Sequence, residues 1–213
     1  QVDYRLLSED GRLFQQKEAM VPVLVMIDVA TGACEAVMCQ HKGPKDAYAC
    51  KVLAKFCDDL GAAGVILQSD QENSMSAVFS KSKSMMESAT EVRTTPKYSS
   101  KRNGAVEVAN KHLEGQVRTL KHFIEMKYGV VVNGHSFLLA WMVRHAAWSM
   151  NRFHARSSGH SAYFALKGTE YKYPMVPFGE TCMMREPKLP NSKIAPRWRK
   201  AIWLGCTSFG NEN

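Results

Sequence analysis

The sequence predicts an α/β fold: a mixed five-stranded sheet flanked by helices, then a small C-terminal extension that is mostly β or irregular. Three observations carry this expectation. Short apolar, β-branched runs and segments of helical spacing follow one another in the order β-β-β-α-β-α-β-α-α. The last two helical segments are long and present broad apolar faces, enough to cover a sheet. After Gly159 the pattern breaks into short aromatic pieces punctuated by proline and glycine.

The elements are expected as follows. Residues 1–7 alternate loosely and run into the turn-like Ser8-Glu9-Asp10-Gly11, and Val21–Ile27 is dense enough in β-branched residues to be a buried strand. A turn at Thr31-Gly32 precedes a short strand over 34–39. Residues 46–60 place Ala47, Cys50, Leu53, Ala54, Cys57 and Leu60 at helical spacing, and Gly61 stops the helix. Residues 65–67 read as a short buried strand, 74–88 as a polar helix containing methionine, and 91–95 as a strand ending before Pro96. From Gly104 to Tyr128 apolar positions recur at 106, 109, 113, 117, 120 and 124, against a charged stripe through Glu107, Lys111, Glu114, Arg118, Lys121 and Glu125. Gly129 ends that helix, and a second one rich in Trp, Met and Phe spans 136–155.

The 213 residues, 45% of them apolar, suffice for one core domain and an appended segment. The net charge of +8 is unevenly spread: residues 1–100 carry 11 basic and 13 acidic side chains, residues 101–213 carry 17 and 7. Such asymmetry points to a polyanionic partner for the second half. No apolar run is long enough to span a bilayer and no signal peptide opens the chain, so membrane and secretory readings fall away. A start at Gln1, in strand-like text, suggests an excerpt from a longer polypeptide. The six cysteines include no Cys-x-x-Cys pair, so reduced, partly buried thiols are expected rather than a zinc site.

Asp70 ends the apolar run Gly64-Val-Ile-Leu-Gln-Ser-Asp70, and Glu107 follows 36 residues later in the first turn of a helix. An unpaired carboxylate at the end of an apolar strand is costly. Convergence of two or three such groups on a divalent cation explains the cost, and carboxylate oxygens suit Mg²⁺ or Mn²⁺. The segment leading to Glu107 contains Pro96, Tyr98, Ser100, Asn103, Gly104, Glu107 and Asn110. On these residues, and on the order of its elements, the chain resembles the integrase catalytic core of long-terminal-repeat retrotransposons and retroviruses, a ribonuclease-H-like fold. Residues 1–156 resemble that core. Residues 157–213, with Ile202-Trp203-Leu204-Gly205, resemble the segment that follows it in copia-type polyproteins.

The resemblance implies three metal-binding catalytic acids, assigned as Asp3, Asp70 and Glu107, with two Mg²⁺ or Mn²⁺ ions and no small-molecule cofactor. Asp28 ends the more conspicuous strand and is the alternative first acid, but that strand matches the family's second. Its other reading is a turn carboxylate bonded to backbone N–H groups around Thr31-Gly32. Tyr98, Lys101, Arg102, Asn103 and Lys111 are the expected DNA contacts. Arg144, Trp148, Arg152 and Arg156 form an i, i+4 row, read mainly as packing with the arginines directed outward. His112 and His145 are read as ordinary hydrogen-bonded histidines. Two residues depart from the family pattern: Glu72, two positions after the second acid, and Val108, which replaces a basic residue. The implied function is DNA integration by a polynucleotidyl transferase acting on element ends and target DNA, as a homo-oligomer, in the nucleus. A nuclease or a decayed DNA-binding copy are the alternatives.

Overall fold

The structure, a computed structural model, describes residues 1–7, 21–94, 103–186 and 197–206. Strands β1 (Val2–Leu7), β2 (Val21–Ile27) and β3 (Cys34–Met38) form an antiparallel sheet with β2 in the centre. Helix α1 (Ala47–Asp59) leads to β4 (Gly64–Ser69), and α2 (Asn73–Lys83) leads to β5 (Ala89–Thr94), which pairs with β4 in parallel. Helices α3 (Gly104–Tyr128) and α4 (Phe137–Phe153) follow, then a short α5 (Ala162–Lys167) and an antiparallel hairpin of β6 (Thr181–Arg185) and β7 (Trp198–Ile202).

The alternation of β2 explains the layering. Leu24 and Met26 face one side and join Val37, Leu53, Phe56, Val78 and Phe79 in a cluster beneath α1 and α2. Val23 and Val25 face the other side and join Val106, Leu113, Met142 and Val143 beneath α3 and α4. A period of two along a strand buried on both faces requires apolar residues at every position, and Val23 to Met26 are all fully buried. Asn151 on α4 fixes this layering with two 2.7 Å bonds to Cys34: its side-chain amide donates to the Cys34 carbonyl and its side-chain oxygen accepts from the Cys34 N–H.

The expected single five-stranded sheet is not what the hydrogen bonds describe. β4 lies beside β1, but regular ladders run only within β1-β2-β3 and within β4-β5. β4 is also less buried than its apolar text suggests: Leu67 and Ser69 are buried, whereas Gly64 and Ile66 are exposed. Only its C-terminal end is drawn into the core, so only that end is positioned closely. Helix α2 ends at Lys83 rather than Ser88 because Asp58 of α1 accepts from the N–H groups of Glu87 and Ser88, pulling them out of helical register.

Residues after 156 pack on the core. Phe178 is buried against α3 and α4, with Trp203 and Leu204 alongside. The expected outward direction of the arginine row fails at Arg152, which is buried between Trp148, Tyr163 and Tyr171. Once α5 and Tyr171 cover this face, stacking a flat guanidinium on the rings replaces its water. All six cysteines are free, four of them buried. No described helix is long and apolar enough to cross a membrane.

Candidate active site

β1 presents alternate residues to opposite layers. Val2 and Tyr4 enter the α1/α2 cluster, so Asp3 and Arg5 face α3. There Asp3 accepts a 3.2 Å hydrogen bond from Nδ2 of Asn110, and Arg5 pairs with Glu114 one turn further along. The spacing of two on the strand thus matches the spacing of four on the helix. Asp70 follows β4, and its Oδ1 lies 3.4 Å from Nδ2 of Asn103, the residue that caps α3.

These contacts define the position of Glu107. Residues 103, 107 and 110 are separated by four and three positions, so they lie on one face of α3. Glu107 is therefore on the turn between two asparagines, each bonded to one strand carboxylate, and its side chain is exposed. Both asparagines are buried, at 2% and 3% exposure, and each leaves its Oδ1 without a partner. Sequence reasoning placed Asn103 with the DNA contacts and Asn110 only within a motif. Their role as carboxylate partners was legible in one signal, a pair of amides one heptad apart around an acid.

Burial holds the Asp3 carboxyl above the usual carboxylate range. The backbone N–H of Tyr4 and the Asn110 amide pull it back, while the negative charges of Asp70 and Glu72 push it further up. Asp3 and Asp70 thus face one another as like charges, and neither has a Lys or Arg partner among the described residues. That donor set, hard oxygen with uncompensated charge, is the chemistry a divalent cation satisfies. Asp3, Asp70 and Glu107 do not converge as a three-group metal cluster among the described residues. The two aspartates fit such an ion, and Glu107 is the acid carried nearest to them by the helix.

The remaining expected residues divide cleanly. Asp28 accepts from the backbone N–H of Thr31 at 2.9 Å and its hydroxyl at 2.6 Å, which is the turn reading. Lys111 is exposed one turn beyond Glu107 and forms no ion pair with it among the described residues. Tyr98, Lys101 and Arg102 lie outside the described residues. Glu72 opens α2 without capping it through its side chain, and its carboxylate instead pairs with Lys42 at 3.1 Å. His112 stacks near His154, with ring centroids 4.5 Å apart. His145 lies 3.4 Å from the Ser149 hydroxyl but leaves Nδ1 unbonded within an aromatic cluster.

No protein-family profile and no curated protein matches the sequence. Among solved structures, the chain is similar to the simian T-cell lymphotropic virus intasome in complex with the PP2A regulatory subunit B56 gamma, at 15% identity and a TM-score of 0.55. That match covers 94% of this chain, which in turn spans only 66% of the length of the intasome chain. It is also similar to the catalytic core domain of BIV integrase, at 12% identity and a TM-score of 0.51, over 78% of this chain and 91% of that one. At these identities the likeness is one of fold.

Proposed function

With the fold of a retroviral integrase catalytic core as its premise, we propose that this chain is a metal-dependent polynucleotidyl transferase of DNA integration, from a copia-like retrotransposon polyprotein. Its metal-binding catalytic acids are Asp3, Asp70 and Glu107. The supporting observation is the pair of asparagine–aspartate bonds on either side of Glu107. Two Mg²⁺ or Mn²⁺ ions, when bound, supply activation of a water or DNA 3′-hydroxyl and stabilisation of the leaving oxygen, in two transesterifications. The chain's residues supply the rest. Asp3 and Asp70 hold cations from the strand ends and Glu107 from the helix. Asn103 and Asn110 orient the two aspartates, and Lys111 holds a phosphate beside them. Tyr98, Lys101, Arg102 and Asn103 contact the element end or target DNA. In this reading β4 continues the β1 edge as one five-stranded ribonuclease-H-like sheet across residues 1–156, and 157–213 is the post-core extension. Joining both ends of an element needs two active sites, hence a homo-oligomer, acting in the nucleus.

The test is resealing of a branched DNA that mimics the joined product, in Mn²⁺, with Asp3→Asn, Asp28→Asn and Glu107→Gln beside the parent. Resealing kept by Asp28→Asn and lost by the other two is the expected result. Cleavage without joining would mark a nuclease. One observation favours a second reading, a DNA-binding relic: Glu107 is not gathered with the two aspartates among the described residues. A folded, DNA-binding protein with no Mn²⁺-dependent reaction would support the relic and overturn the transferase.

A further inference from the structure

The connection between β3 and α1, residues 40–46, is fastened to the rim of the carboxylate site at three points. The Gly43 N–H donates to the Tyr4 hydroxyl at 3.0 Å, and Tyr4 is the residue after Asp3. Lys81 of α2 donates to the Pro44 carbonyl at 2.7 Å. Lys42 lies over the Tyr4 ring, 5.4 Å from its centroid, and pairs with Glu72, two residues after Asp70. Asp46 adds little free negative charge here, since its carboxylate accepts from the N–H groups of Gln40, Tyr48 and Ala49. The result is a loop of fixed shape that presents Lys42 and Lys45 to solvent beside Asp3 and Asp70. Lys45 forms no ion pair among the described residues. The Lys42–Glu72 pair is partly exposed on both sides, at 35% and 44% of the side chains, so water already competes for it and exchange is easy.

We propose that residues 40–46 form a phosphate-binding rim for duplex DNA, in which Lys42 exchanges Glu72 for a backbone phosphate and Lys45 binds a neighbouring one. The ligand class rests on the transferase reading above; the rim itself does not require catalysis. Glu72, a departure from the family pattern, then acts as a competitor that holds Lys42 in place until DNA arrives. Contacts of this kind position DNA without reading its sequence and release counterions.

The experiment is fluorescence anisotropy of a labelled duplex with the whole chain over a NaCl series. The Lys42→Gln/Lys45→Gln double variant is expected to bind roughly fivefold to tenfold more weakly, with a salt slope shallower by nearly two. Lys42→Arg should retain binding, and Glu72→Gln should tighten it, a gain that Lys42→Gln erases. A double variant with parental circular dichroism, affinity and slope would overturn the rim. The branched-DNA assay on the same proteins separates the two readings. Joining by the parent with unchanged binding in the double variant discards the rim and keeps the transferase. Absent joining with weakened binding in the double variant does the reverse, and a parent that binds no duplex overturns both.

Discussion

The guanidinium of Arg152 sits 4.1 Å from the Trp148 ring centroid, with Tyr171 and Tyr163 at 5.1 and 5.3 Å. Two of these rings come from residues after 156, so one cation ties the extension to α4. Arg152→Ala is expected to cost about 2–4 kcal/mol in urea unfolding, through lost packing and lost cation–π contact. Arg152→Lys should recover little, because an ammonium cannot stack as a flat guanidinium does. Asp3 behaves oppositely. Its carboxyl is pushed up by burial and by Asp70 and Glu72, so the native state holds its proton more tightly than the unfolded chain. Its charge therefore weakens the metal-free fold once pH exceeds its raised native value. Asp3→Asn should melt a few degrees higher than the parent in EDTA at neutral pH, while added Mn²⁺ should raise the parent's Tm and leave the variant's unchanged.

At the scale of elements, what the sequence disclosed followed from local physics. β2 and α3 run over the predicted residues because a fully buried strand and an amphipathic helix each write their period into the text, and Gly129, at φ 63°, marks the stop. The misses came from long-range partners. Asp58 shortens α2 from another helix, and β6 and β7 exist by pairing with one another across the intervening chain. The six residues of α5 are too few to show a period. The acids Asp3, Asp70 and Glu107 were legible as residues, but the amides that connect strand to helix were not, since their bonds span 33 and 107 positions. Gly179 is a further contact of this type. Its backbone is left-handed at φ 77°, and a Cβ there would collide with Ile124 of α3. Gly179→Ala is expected to destabilise the protein by about 2 kcal/mol or more and to hasten proteolysis after 156, which limited digestion would reveal.

Across the whole molecule, His145 joins the core to its extension, packed against Phe178 and Trp203 and against the backbone at Gly205. Burial, helped by the charge of Arg152, lowers its pKa to about 4 from 6.5. The unfolded chain therefore binds the proton first as pH falls. The stability that depends on neutral His145 is complete above about pH 6.5 and lost progressively down to pH 4, on the order of 3 kcal/mol in all. Tryptophan fluorescence should report loosening of the extension in that window, and His145→Phe should flatten the dependence. A different consequence follows from the two asparagines on α3. They are seven residues apart, so the helix works as a gauge about 10 Å long with the glutamate marked between its ends. Losing one residue inside that interval would turn one mark about 100° away from the other. Such a deletion would leave both hydrophobic layers intact and remove the alignment of all three acids at once. Copies of this sequence should therefore tolerate substitution on the outer face of this stretch but no change in its length.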